Sequence, residues 1–191
     1  MGIDATPPVV PVLQTPRLRL RPLQAEDAEA LHDAYANPQV MRHWSLAPSG
    51  DLAETRRRIA WSLAASVEMH AAWAITQPPD DRLIGLVNYH HREASNRRLE
   101  IGYLLMRGHW RQGLMREALV ALLDHFFVAF DVHRVEAMVE PSNLPSRRLL
   151  EGLGFACESG VLRDRIKVGD AYRSMVMYAL LAPDWKAATR R

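Results

Sequence analysis

The first clear pattern is RLRLRP at 17–22, where Leu18 and Leu20 alternate with Arg17, Arg19 and Arg21. Period two predicts a strand with one wet face, ended by Pro22. Over 24–36 the period lengthens, and Ala28, Leu31, Ala34 and Tyr35 share one helical stripe, with Asp27 and Glu29 favourable in the early turns. A second helix is predicted over about 51–68, with Asp51 as its cap, Glu54 three residues on, and Leu52, Ile59 and Leu63 as its apolar side. Strands follow at AAWAIT (71–76) and LIGLVNYHH (83–91), separated by a Pro-Pro-Asp-Asp turn, and then at 97–105. The longest helical pattern covers 113–130, with Leu114, Ala118, Ala121, Leu122 and Phe126 near one side. A strand at 132–140, a turn at 141–143, a short helix at 146–152 and two strands near 155–166 and 172–181 complete the chain.

This order (strand, two helices, three strands, helix, strand, helix, two strands) predicts one mixed α/β domain over 15–181. Pro7, Pro8 and Pro11 mark 1–14 as an irregular arm, and 182–191 reads as a C-terminal tail that decorates the surface or reaches a partner chain. No repeat or linker divides the domain.

Composition narrows the function classes. The chain has 191 residues, long enough for one substantial core. A single cysteine, Cys157, excludes an intramolecular disulfide and any metal site built on several thiolates. No stretch approaches the roughly 20 apolar residues of a membrane span. The N-terminal segment lacks a basic run followed by an apolar one, so a cytoplasmic location is expected. Twenty-four basic residues face 22 acidic ones, for a net charge of +2. That balance gives no reason to expect nucleic-acid binding. The basic residues are arginines apart from Lys167 and Lys186, and arginine's donor fork suits a local anionic ligand.

Candidate chemistry concentrates where the longest helix begins, at WRQGLMREA (110–118). Backbone N–H groups at a helix entrance lack intrahelical acceptors and can cradle a diphosphate, and Gly113 permits the dihedrals such a turn needs. An ordinary glycine-containing loop is the alternative. There is no GK[ST], and Gly108 and Gly113 do not have dinucleotide-fingerprint spacing, which argues against ATPase and NAD-dependent chemistry. His90 and His91 are adjacent in a predicted strand, so they are expected to face opposite ways and no metal site is expected. The tryptophans at 44, 61 and 73 read as packing residues.

Taken in order, TPRLRLRPL, LIGLVNY, LEIGYLL, WRQGLMREA and VEPSNLPSRRLLEGLGF resemble the GNAT acetyltransferase superfamily over about 15–181. The nearer resemblance is to the branch containing ribosomal-protein N-terminal alanine and serine acetyltransferases. It implies a strongly twisted mixed sheet whose middle strands splay apart to admit acetyl-CoA. It also implies that the backbone amides of Arg111, Gln112, Gly113, Leu114, Met115 and Arg116 hold the pyrophosphate. Gly113 fits the family's central glycine, whereas Trp110 and Met115 depart from its first and last specified positions, and Met115 leaves less room beside the phosphates. Asn143 and Ser146 match an Asn-x-x-Ser variant in which the asparagine holds the pantetheine arm and the serine assists the departing thiolate. Turn formation and helix capping are the alternative roles. The tyrosine that one branch carries seven residues after the asparagine is Leu150 here.

Acetyl transfer needs a neutral amine. Glu100, in the strand before the candidate phosphate loop, is the expected base, acting directly or through water. An ion pair with Arg97 or Arg98 is its alternative role, and His90 or His91 are alternative bases. A protein N-terminal amine, with a pKa of about 7.7–8.0, is easier to deprotonate than lysine at about 10.4. The expected function is therefore acetyl-CoA-dependent N-acetylation of a primary amine, foremost a protein N-terminus beginning Ala or Ser and belonging to a ribosomal protein. An aminoglycoside, polyamine or amino acid acceptor, or an acyl-CoA-binding domain without turnover, are the alternatives. Monomer and homodimer are both compatible with the sequence.

Overall fold

The computed structural model describes residues 10–189. The expected arm therefore lies, for residues 1–9, outside the described residues, as do 190–191 of the expected tail. Among the described residues there are nine strands: β1 (Leu13–Gln14), β2 (Arg19–Pro22), β3 (Ala71–Thr76), β4 (Leu83–Glu93), β5 (Arg98–Leu105), β6 (Arg134–Val139), β7 (Ala156–Cys157), β8 (Leu162–Val168) and β9 (Ala171–Leu181). The helices are α1 (Ala28–Tyr35), α2 (Pro38–Met41), α3 (Leu52–Ala64), α4 (Leu114–Asp124), α5 (Leu144–Gly152) and α6 (Ala182–Thr189). The sheet runs β1-β2-β3-β4-β5-β6-β9-β7, with β8 also pairing β9.

Alternation along the strands sorts side chains into two cores. On one face Trp73, Ile75, Leu99, Ile101 and Val135 pack with Leu119, Leu122 and Phe126 of the α4 side. On the other Ala72, Ala74, Leu86 and Leu104 pack with Leu31 and Ala34 of α1 and Ile59 of α3. The α4 stripe is the expected one, but the regular helix stops at Asp124 and continues as a π-helical turn over His125–Ala129 that buries Phe126 and Phe127.

Local chemistry explains the other departures. The stretch 24–36 does not run as one helix. A 3-10 turn at Ala25–Asp27 precedes α1, and Asp27 is drawn inside by a bidentate pair with Arg21 at 2.7 and 2.8 Å. Asp51 caps α3 as expected, its carboxylate accepting Glu54 N–H at 2.6 Å, and the helix ends at Ala64 rather than near 68. The strand expected near 155–166 divides into β7 and β8, because the Met177 N–H goes to Ser159 Oγ at 2.8 Å rather than to a backbone carbonyl, which interrupts the ladder with β9. The segment read as a tail begins as α6, and Trp185 packs in the α4-side core with its indole N–H on Asp124 at 2.7 Å.

Every strand pairing is antiparallel except β5–β6, which is parallel and confined to Arg98–Glu100 against Arg134–Glu136. Beyond that rung each strand keeps its outer neighbour, and the two separate. This is the expected splayed sheet.

Candidate active site at the strand splay

Glu100 occupies the last paired rung before the gap opens, with Glu136 as its Cα partner in β6. Register neighbours of parallel strands share a face, so two carboxylates flank the vertex. They are neutralised differently. Glu136 is 7% exposed and takes Arg98 at 2.9 Å and Arg134 at 2.7 Å. Glu100 takes no arginine; its partners are His90 Nε2 and His91 Nδ1, each at 3.3 Å. Arg98 bonds Glu93 and Glu136, while Arg97 bonds Asp131, so the alternative ion pair for Glu100 does not form. Burial pushes the Glu100 carboxyl up, but the two imidazoles outweigh it and hold the group below its ordinary value.

The convergence of both histidines on one carboxylate corrects the expectation that they face opposite ways. His91 adopts φ +51°, and the β4–β5 register slips between His90 and Glu93. The bulge breaks the alternation and turns the second ring back beside the first, with ring centroids 4.8 Å apart.

Tyr103 is three residues past Glu100 on β5 and therefore points to the opposite face, where it packs against the α4-side core. Its hydroxyl lies 2.7 Å from Ser146 Oγ, and burial pushes its pKa up to about 12. Ser146 is held in place through its backbone: Asn143 Oδ1 accepts Ser146 N–H at 3.3 Å and caps α5. The capping role of Asn143 is thus present, and it leaves the Ser146 hydroxyl free of that duty.

The loop before α4 enters the helix through two left-handed residues, Arg111 at φ +61° and Gly113 at φ +75°, with Gly113 as N-cap. The first helical acceptor is Gly113 C=O, which takes Glu117 N–H at 3.1 Å, so the preceding amides through Arg116 have no partner within the helix. Met115 turns toward the core, while Arg111 and Gln112 are exposed. Arg116 reaches Gly152 C=O at 3.3 Å, tying this entrance to the end of α5. A brace from the first strand region fixes the loop. Glu117 accepts Thr15 Oγ1 at 2.6 Å, Arg17 N at 2.9 Å and Arg17 Nε at 2.6 Å, while Arg17 Nη1 donates to Gln112 C=O at 3.0 Å.

Glu100, Asn143, Ser146 and Tyr103 border one cleft of about 1100 Å³ that extends past Trp44 and Trp61. The loop 111–116 does not line that cleft; it stands beyond the end of β5. Tyr103, Glu136 and the Arg17–Glu117 brace were not singled out in the sequence. Tyr103 had a signal, since it lies within LEIGYLL, but the pairing with Ser146 spans 43 residues.

Residues 17–156 match the family model described as an acetyltransferase (GNAT) domain. The chain is 35% identical over 174 residues to an uncharacterized N-acetyltransferase, p20, of Bacillus licheniformis, covering 91% of this chain and 97% of that protein. It is 29% identical over 182 residues to the ribosomal protein uS5-alanine N-acetyltransferase of Escherichia coli, covering 91% and 92%. The crystal structure of a GCN5-related N-acetyltransferase from Brucella melitensis superposes with a TM-score of 0.85 at 21% identity, covering 96% of this chain and 84% of that one. Fold, splay and sequence agree: the chain belongs to the GNAT acetyltransferases and is an enzyme that uses acetyl-CoA as its acetyl donor.

Proposed function

We propose that this enzyme acetylates the free α-amine of a protein N-terminus, with Ala or Ser first, and that a ribosomal protein supplies it. The observation that carries the reading is the placement of Glu100 and the Tyr103–Ser146 pair on opposite faces of β5, at the point where β5 and β6 part. Acetyl-CoA enters from the α4–α5 side, its pyrophosphate on the amides of 111–116 and its pantetheine arm beside Asn143, whose amide nitrogen is not used in the cap. The amine arrives from the α1–α3 side. The thioester carbonyl spans the gap.

The neutral amine nitrogen attacks that carbonyl. Glu100 makes the amine neutral beforehand by taking a proton from the bound ammonium, directly or through water, with exposed His91 as the outlet to solvent. As the N–C bond forms the nitrogen becomes far more acidic, and its next proton leaves by the same route. The C–S bond then breaks, and the sulfur takes up its proton from the Ser146–Tyr103 side, where a donor is needed only as charge develops.

The cleft's charges favour a peptide end over a polyamine. Glu54 is paired with Arg58 at 2.5 Å and Glu136 with two arginines, while Arg57 and Arg165 also line the space. Apart from Glu100, a polycation would meet guanidinium groups rather than open carboxylates. The similarity to a uS5-alanine N-acetyltransferase over 91% of the chain supports the same choice. The test follows CoA release with peptides beginning Ala or Ser, the same peptides N-terminally blocked, and spermidine, an aminoglycoside and free amino acids. Turnover confined to free peptide N-termini is expected. Turnover on a small amine with none on the peptides would overturn the assignment.

A further inference from the structure

His90, His91 and Glu100 bring three metal-ligating groups to the mouth of the cleft, and their ligand atoms all lie within 4.8 Å of one another. The two histidine–carboxylate separations are both 3.3 Å. That is long for a charge-assisted hydrogen bond, which runs about 2.7–2.9 Å. The two contacts fall on different carboxylate oxygens, Oε1 for His90 and Oε2 for His91, so zinc bonds of about 2.0–2.1 Å to all three groups need the side chains to turn inward by a small rotation toward one point. The backbone that makes this possible is unusual, since His91 is a non-glycine residue held at φ +51°. Such conformations cost energy and concentrate at functional sites.

From this convergence we infer that His90, His91 and Glu100 form a binding site for a divalent cation of the zinc type, with its fourth position open to the cleft. The donor set selects the class. Two imidazoles and one carboxylate suit zinc and its first-row neighbours, whereas magnesium and calcium require more oxygen ligands. Occupancy would take up the carboxylate and both rings at once. In the part that rests on the acetylation reading above, a bound ion therefore stops acetyl transfer by removing the group that accepts the amine proton. His91 is exposed, so the ion has a direct route in.

Calorimetric titration of the metal-free, full-length protein with ZnCl2, and of a parallel sample with CoCl2 read by visible absorption, tests the site without any need for turnover. One equivalent should bind, and Co2+ should give the intense visible bands of four-coordinate geometry. Both should weaken by more than about tenfold in His91→Ala and Glu100→Gln, since even the loss of an outer-shell partner costs 10–100-fold in metal affinity. Both should persist in Cys157→Ser and His43→Ala. Circular dichroism confirms that each variant is folded. Absence of binding, or binding unchanged in folded His91→Ala, overturns the site. Zn2+ should also suppress acetyl transfer by the wild type, and His91→Ala should lose this sensitivity relative to its own metal-free rate. Metal binding that depends on His91 but leaves wild-type turnover untouched would overturn the inhibitory role alone. Failure to find any acceptor would leave the titration result standing.

Discussion

The pairing of Tyr103 with Ser146 makes a quantitative prediction. The Ser146 side chain takes no part in capping α5, because the Asn143 carbonyl oxygen accepts the serine's backbone N–H. Ser146→Ala therefore removes the hydroxyl and spares the cap, and Tyr103→Phe removes the other half of the 2.7 Å contact. Each change should cost about 0.5–1.5 kcal/mol of stability, the net worth of one neutral hydrogen bond. Turnover is affected more, because the hydroxyl faces a developing thiolate. A hydrogen bond to a charged group is worth about 1.5–3 kcal/mol. At 1.36 kcal/mol per tenfold, kcat should fall about 10- to 160-fold, with little change in acetyl-CoA affinity. Tyr103, with its pKa near 12, is a much stronger acid than an aliphatic hydroxyl, so the phenol is the source of the proton and the serine its carrier. Two groups acting as one chain are not additive. If each single variant loses about 30-fold, the double variant should also lose about 30-fold, whereas independent groups would give about 900-fold. Single-turnover kinetics on the four proteins, with thermal melts alongside, measure this directly. Multiplying losses, or full activity in Tyr103→Phe, would refute the relay.

Two further changes address the loop before α4. Gly113→Val places a β-branched residue at φ +75°, which should cost about 1–2 kcal/mol and raise the acetyl-CoA Kd in calorimetry, while Arg111→Ala should weaken binding less because amides make the contacts. Glu117→Gln should loosen the Arg17 brace and also raise that Kd. The same residue predicts a pH effect: burial raises the Glu117 carboxyl, but the Thr15 and Arg17 hydrogen bonds outweigh it and hold the folded pKa below the ordinary value. Its contribution is thus complete above the unfolded pKa, about 4.3, and is lost as pH falls through the folded value. Melting temperature should drop more steeply with acidification in the wild type than in Glu117→Gln; equal slopes would remove Glu117 from the acid response.

Much of this architecture is legible in local pattern. The apolar runs at 71–76 and 97–105 and the α4 stripe place the sheet and its main helix, because β3 is buried along its whole length and α4 buries one regular face. Asp51 announces the start of α3 for the same reason, since a cap is a local bond. What the sequence hides depends on distant partners or broken regularity. Arg21 and Asp27 look like surface charges until the fold pairs them. Arg17 and Glu117 are 100 residues apart, and nothing near either one signals the brace. His90 and His91 mislead because alternation is the right rule for a strand, and a single left-handed residue suspends it.

The central claim is that the amine loses its proton on the Glu100 side of the splay, and kcat/KM against pH tests it for wild type and Glu100→Gln. A peptide acceptor found by the screen, chelator-treated buffer and a range of about pH 6–9 cover the titration of an α-amine. The substitution removes charge with little change of shape. The deficit should be greatest at low pH, within the 10²–10⁴-fold typical of general-base help, and should shrink as the amine deprotonates in solution. Superimposable profiles from the two proteins would contradict the account and move the proton acceptor away from Glu100.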